Sequence, residues 1–307
     1  MVLLAPYPVA NTYKFFSVDH MNVDQVFKNI EQHLNTSNTL QNHTLGTLLA
    51  IKDLLLDFGT AQIRHQHLNP LNRFGTKCFS QTDEDGITIE ILRRIGLTQG
   101  TFAEFGVGNG SENNTLVLAA LGWKGFWVGG EDLFLSLNDS SRFAFIKSWV
   151  TVDNILQHFK SGMTSIRSTD VDLISLDLDG NDIYFVEYLL ANGIAPKIFI
   201  VEYNALFPPP VKFQITYDPS HKWNRDSYFG AALQNFVEVF ESHGYKLVCC
   251  NSHSGANAFF VQKKYEHLFL DVPEDITKIY VPPRYKLYSH YGHRNSPRVI
   301  ANILNGE

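Results

Sequence analysis

The sequence predicts an α/β fold built on a mostly parallel sheet with one antiparallel strand. Three observations predict it. From residue 79 onward, short apolar runs alternate with stretches of helical periodicity, the order that yields parallel strands joined by helical crossovers. Glycines stand where helical stretches end, at Gly96, Gly122 and Gly193. The last two apolar runs, 245–250 and 257–262, are separated by a connection too short for a crossover, so they pair antiparallel.

The elements follow in order. Residues 82–95 read as a helix with Asp83, Glu84 and Asp85 in its first turn, where carboxylates suit the helix dipole. Residues 101–105 form a short strand, followed by a glycine-rich turn and a helix over 111–121. Residues 125–128 and 143–150 supply the next two strands. Residues 172–177 (DLISLD) are a buried strand ending in carboxylates, 183–191 a helix, and 197–203 (KIFIVEY) the fifth strand. The loop 205–230 is long and rich in proline, aromatic and charged residues; loops of that length in compact domains are usually functional or mobile. A helix over 231–243 leads into the final hairpin.

Residues 1–75 read differently. Val23, Val26, Phe27, Ile30 and Leu34 recur at helical spacing after Asn22, a fitting N-cap. A second apolar stripe, Leu45, Leu48, Leu49, Leu55 and Leu56, predicts a second helix and hence an α-hairpin packed on the core. The competing reading is a dimerisation or lid element, which makes a homodimer reasonable. The predicted organisation is a helical extension over 1–75, a main domain over 76–270 and a C-terminal tail over 271–307 packed on the core. In that tail Arg284, Lys286, Arg294 and Arg298 alternate with tyrosines, without acids.

The chain has 307 residues, 44% hydrophobic and 18% charged, which excludes a disordered polypeptide. Its formal net charge of −6 argues against broad nucleic-acid binding. Three cysteines with no C-x-x-C spacing give neither a disulfide framework nor a zinc site, and suit a reducing compartment. The N-terminus lacks the basic region of a signal peptide, and no run reaches the ~18 apolar residues of a membrane span. The expectation is a soluble cytoplasmic protein without a membrane partner.

The turn after the first predicted strand spells F-A-E-F-G-V-G-N-G-S, placing Gly106, Gly108 and Gly110 at G-x-G-x-G spacing. Such glycines let backbone pass close to a ligand, and the following helix aims its amides at an anionic group. Glu104 stands at the strand's carboxyl end, where it would accept a hydrogen bond from an ammonium. Glu131 and Asp132 lie near the ~20-residue spacing at which an acid binds ribose hydroxyls. The third glycine comes one residue too early for a dinucleotide fingerprint. A ligand carrying both an amino acid and a nucleoside, S-adenosylmethionine, fits better.

Several segments together carry a family resemblance: FSQTDEDG (79–86), FAEFGVGNGSENNT (102–115), GWKGFWVGGE (122–131), DLISLDLDGNDIY (172–184), IVEYNALFPP (200–209) and the region 228–262. The chain resembles the FkbM-like branch of S-adenosylmethionine-dependent methyltransferases over about residues 75–265. The resemblance implies a Rossmann-like class I methyltransferase fold with seven strands, the seventh antiparallel. It implies O-methyl transfer, usually to a hydroxyl of a sugar, polysaccharide or natural product. It also puts Ser111 and Asn114 with the glycines at the cofactor, and Asp153 and Asn154 on its adenine side. Relatives often carry an acid where this chain has Gly129, so the ribose role passes to Glu131, with Asp132 as second choice.

The run Asp177-Leu-Asp-Gly-Asn-Asp182 is dense in oxygen ligands. It fails as a calcium EF-hand loop, and nothing around it supports paired carboxylates for glycoside hydrolysis. Asp177 and Asp179 spell the Asp-x-Asp of a metal-dependent glycosyltransferase, an alternative that leaves the glycine motif unexplained. Within an open α/β sheet, Asp177 ends the fourth strand, and Glu202 and Asn204 end the fifth. That arrangement resembles the magnesium site of metal-dependent class I O-methyltransferases. It implies Mg²⁺ on Asp177, Glu202 and Asn204, with Asp179 as a further ligand or general base. The plainer reading has Asp177 and Asp179 capping the next helix. In the long loop, His221 is a candidate base, while Trp223 and Tyr228 are candidates for stacking a saccharide acceptor. Gln81 is placed in the pocket by its motif. Asn251, His253 and Asn257 flank the final hairpin on the substrate side.

Overall fold

A computed structural model describes residues 23–138, 140–224, 226–284 and 297–305. The chain divides into two compact units, Met1–Lys52 and Asp53–Glu307. The boundary falls inside one helix, α1 (Val23–Gln66). The predicted α-hairpin is therefore corrected to a single continuous helix. Apolar periodicity lapses over Asn35–Thr39, which reads as a break, but no proline stops the chain there. The hydroxyls of Thr36 and Thr39 instead donate to the carbonyls of Gln32 and Asn35, both at 2.8 Å, bonds that sit within helical geometry. The predicted cap Asn22 lies outside the described residues.

The second unit carries the sheet. Its strands are β1 (Thr101–Phe105), β2 (Lys124–Gly129), β3 (Phe143–Lys147), β4 (Leu173–Leu176), β5 (Ile198–Glu202), β6 (Tyr245–Cys250) and β7 (Asn257–Gln262). They form one seven-stranded sheet in the order β3-β2-β1-β4-β5-β7-β6. The first five strands pair parallel, and β7 runs antiparallel to both β5 and β6. This is the mostly parallel sheet with an antiparallel last strand that the sequence predicts. The central strands are buried on both faces, which is why they read as continuous apolar runs rather than alternating ones. Between β1 and β4 the direction of strand progression reverses, and ligands of open α/β sheets bind at the carboxyl ends of strands at such a point.

The helices of this unit are α2 (Glu84–Ile95), α3 (Leu116–Ala120), α4 (Ile155–Ser165), α5 (Asp182–Ala191), α6 (Leu233–Ser242) and α7 (Pro297–Asn305). α3 is much shorter than the predicted 111–121, because the residues ahead of it form a loop closed by Glu104. α4 goes unread in the sequence, although Ile155, Phe159 and Met163 share one buried face at helical spacing. Past β7, Val281, Ile300 and Leu304 are buried, while residues 285–296, which hold most of the basic tail, lie outside the described residues. Among the described residues no helix is long and apolar enough to cross a membrane.

Candidate functional site

Backbone conformation and sterics both call for glycine in the turn after β1. Gly106, Gly108 and Gly110 all have positive φ, at 92°, 50° and 84°. At Gly106 a side chain would overlap the carbonyl oxygen of Asp177, so the turn presses directly against the end of β4. Gly108 faces open space: a Cβ there meets nothing within 4 Å. Two compartments open on this turn, one of about 540 Å³ and one of about 230 Å³. Both are lined by Gly106, Gly108 and Asp177.

Glu104 lines the smaller compartment and is also held from the loop side. Its carboxylate accepts from Asn114 N (2.9 Å), Thr115 N (3.1 Å) and Thr115 Oγ1 (2.5 Å), so it is engaged by the loop ahead of α3. Burial pushes its pKa up to about 7, against the pull of those donors. Asn114 is buried and contributes its backbone to this bond, while its side chain donates to Ser175 Oγ at 3.2 Å. Ser111 lines the smaller compartment, as does Gln81.

At the ends of β4 and β5, Asp177, Asp179 and Glu202 each offer a carboxylate oxygen within 4.8 Å of the others. Burial first, then the neighbouring carboxylates, raise Asp177 and Glu202 well above the usual carboxylate range. Asp179 is raised by desolvation, with Glu131 adding to the shift and His221 opposing it. Asp179 also sits in the left-handed region at φ 57°, an uncommon state for a residue with a side chain. The helix-capping reading of Asp177 and Asp179 does not hold. Asp182 instead ties down the loop ahead of α5: its Oδ1 accepts from Leu178 N (2.8 Å) and its Oδ2 from Gly180 N (3.1 Å). Burial pushes the Asp182 pKa up to about 6.

Asn204 is corrected as a ligand. Its Nδ2 donates to the carbonyls of Ser227 (3.0 Å) and Phe229 (2.9 Å), and its Oδ1 accepts from Leu206 N (3.2 Å). The side chain is buried and ties down the long loop rather than facing the carboxylates. Asp179 is the third carboxylate of the cluster.

The larger compartment brings together Glu131, Asp179, His221 and Trp223. His221 Nε2 is buried there without a hydrogen-bond partner. Other predicted residues fall elsewhere. Asp132 pairs with Lys147 at 2.6 Å and borders a different groove. Asp153 is exposed, and Asn154 is spent on Thr151 N (2.8 Å) and the Trp149 carbonyl (2.9 Å). Tyr228 stands edge-on to Phe213 and lines neither compartment. Trp149 lines the larger compartment and was not singled out; it lies past the end of β3, and strand-end position was its one signal. Asn113 also lines the smaller compartment, and its place within the 102–115 segment is the signal the sequence carries for it.

Behind the smaller compartment lies a buried polar network. Glu84 and Asp85 stand in the first turn of α2, with Asp83 just ahead of it, and all three are buried. Asp83 accepts from the amides of Ser252 (3.2 Å) and His253 (3.0 Å), and Glu84 accepts from the side chains of Asn251 and Asn257, both at 3.0 Å. Asp85 Oδ2 gathers the amides of Cys78, Phe79 and Ser80 at 2.7, 2.6 and 2.9 Å. Residues 251–256 form a fully buried connection between β6 and β7, in which Asp83 satisfies two backbone amides and Glu84 the side chain of Asn251.

No family model matches the chain, and no curated protein matches it. Solved structures similar to it include a precorrin-6y C5,15-methyltransferase from Geobacter metallireducens, at 11% identity over 61% of this chain and 90% of that one, TM-score 0.32. The methyltransferase domain of bacterial CtHen1 is 16% identical over 58% of this chain and 97% of its own, TM-score 0.34. The glycopeptide N-methyltransferase MtfA, complexed with S-adenosyl-L-homocysteine, is 14% identical over 63% and 95%, TM-score 0.31. Likenesses at this level carry no argument about the site, whose reading rests on its own residues.

Proposed function

We propose that the chain is an S-adenosylmethionine-dependent methyltransferase acting on a hydroxyl of a sugar, polysaccharide or natural-product acceptor, assisted by a divalent cation such as Mg²⁺. The observation that carries this reading is the pair of compartments sharing Gly106, Gly108 and Asp177. One is rich in polar groups suited to an amino acid, and the other is roomy enough for a nucleoside and an acceptor.

The residues fit the cofactor. Gly108 leaves its face of the turn open, and buried polar atoms without partners, Asn113 Oδ1 and His221 Nε2, belong to the compartment walls. Glu131, at the end of β2, would accept from ribose hydroxyls. The carboxylates fit a hard cation: Asp177, Asp179 and Glu202 supply oxygen ligands and mutually repelling charge. Bound there, the cofactor supplies an electrophilic methyl, and the cation lowers the pKa of the acceptor hydroxyl. His221 Nε2 is the group to take the hydroxyl proton. Trp223, at the mouth, gives a saccharide ring a flat apolar face.

Calorimetry with S-adenosylhomocysteine, with and without Mg²⁺, tests the proposal. Binding is expected, together with methyl transfer that Asp177→Ala abolishes. Binding of a sugar nucleotide instead would favour the glycosyltransferase reading, which the closeness of Asp177 and Asp179 keeps in play. Cofactor binding without product from any hydroxyl acceptor would mark a non-catalytic binding protein.

A further inference from the structure

The smaller compartment holds two buried oxygens that no protein group uses. Asn257 is 5% exposed and Asn113 2%, and the Oδ1 of each lacks a hydrogen-bond partner. Both residues line the compartment. Native proteins leave few buried acceptors unmatched, so two in the lining of one compartment point to a ligand that donates.

The orientation of Asn257 is set from behind. Its Nδ2 donates to Glu84 Oε1 at 3.0 Å, and its backbone N donates to Asn251 Oδ1 at 3.0 Å. Glu84 is itself held by Thr82, whose N donates to Oε2 (2.9 Å) and whose Oγ1 donates to Oε1 (2.8 Å). A carboxylate only accepts. Turning the Asn257 amide over would set oxygen against oxygen, so its Oδ1 is held away from Glu84. The same compartment is bordered by Asp177 and by Glu104. The compartment thus sets two unmatched amide oxygens among carboxylates, which suits a cation.

We infer that Asn257 and Asn113 form an ammonium-binding subsite, with Glu84 as the positioning residue that fixes the Asn257 amide. The inference rests on the methyltransferase reading and deepens it: the bound group is the α-ammonium of the cofactor's amino-acid end. Recognition of that end then depends on β7 and on the segment before α2, not on the glycine turn alone.

The test compares three ligands on the full chain by calorimetry: S-adenosylhomocysteine, the same molecule without its α-amino group, and 5′-methylthioadenosine, which lacks the amino acid. Wild type is expected to prefer the first over the second by about tenfold or more, the range of a hydrogen bond to a charged group. Asn257→Leu and Asn113→Leu are expected to erase most of that preference while binding 5′-methylthioadenosine as wild type does. Glu84→Gln, which frees the amide to turn, should behave the same way. A merely structural role for Glu84 would weaken all three ligands together. Equal wild-type affinity for the first two ligands, or a preference that survives in the variants, overturns the subsite alone. Failure of wild type to bind any of the three overturns the methyltransferase reading and the subsite with it.

Discussion

Gly106 packs its Cα against the carbonyl oxygen of Asp177, leaving no room for a side chain between the end of β1 and the end of β4. Its φ of 92° adds a second bar to any other residue. Gly106→Ala should therefore destabilise the protein by about 3 kcal/mol or more, combining left-handed strain with overpacking against backbone. Gly108→Ala makes the contrast. Its φ is 50°, but a Cβ meets nothing within 4 Å. It should fold, with a loss of about 1–2 kcal/mol from strain, and bind S-adenosylhomocysteine more weakly because the methyl projects into the cavity. Thermal unfolding and calorimetry on the two variants separate a packing glycine from a ligand-facing one.

Glu104 makes stability depend on pH. Its pKa is pushed up to about 7 by burial, from 4.5 in the unfolded chain. The native state thus binds more protons than the unfolded state between those values, and stability falls as pH rises through them. The contribution is fully present below pH 4.5 and lost above about pH 7, a span worth about 3 kcal/mol. Asp83 and Asp182, each pushed up to about 6, tilt the curve the same way. Unfolding midpoints measured from pH 5 to 8 should decline, and Glu104→Gln should flatten the decline even though it misplaces a donor beside Thr115 N. A Glu104→Gln curve as steep as wild type would refute this assignment.

Much of this was legible because the signals are local. The hairpin bounds 245–250 and 257–262 agree with β6 and β7, since each strand is an unbroken apolar run. The glycine turn and the carboxylates at strand ends could be placed for the same reason. Side-chain direction was not legible. Asn204 sits where a ligand should be, yet its amide turns to the loop carbonyls of Ser227 and Phe229. Asp83 and Glu84 read as dipole partners at the start of α2, where they stand, but their side-chain partners, Asn251 to Asn257, lie far along the chain and leave no periodic trace. α1 reads as two helices because a polar stretch interrupts an apolar pattern without ending a helix, and the stripe predicted to pack on the core is mostly exposed, Phe27, Ile30, Leu34, Leu45, Leu48, Leu49 and Leu55 among it.

The carboxylate trio should make the site a source of instability unless a cation is present. Asp177 and Glu202 stand well above the usual carboxylate range through burial and mutual repulsion. In a chelator at neutral pH, Asp177→Asn should therefore raise the unfolding temperature relative to wild type. Adding Mg²⁺ should stabilise wild type, by about 2.7 kcal/mol at a hundredfold excess over its dissociation constant, and leave Asp177→Asn little changed. If methyl transfer survives dialysis against chelator, or Mg²⁺ shifts both proteins equally, the cation is not held by this trio.

Asp179 allows fold and function to be separated at one residue. It occupies φ 57°, on a loop that Asp182 holds through the amides of Leu178 and Gly180. Asp179→Gly removes the left-handed strain while giving the unfolded chain more freedom, two effects of about 0.5–1 kcal/mol that oppose each other. Its unfolding temperature in chelator should stay within a few degrees of wild type. Its response to Mg²⁺ should fall sharply, because only Asp177 and Glu202 remain of the trio. Asp182→Ala should do the reverse in order of severity. It strips one buried and one half-buried amide of their acceptor, costing about 2–4 kcal/mol, and loses the Mg²⁺ response as a consequence of the loosened loop. Measured side by side in thermal melts with and without Mg²⁺, a large stability loss in Asp179→Gly would show that Asp179 is a structural residue of the turn and not a ligand.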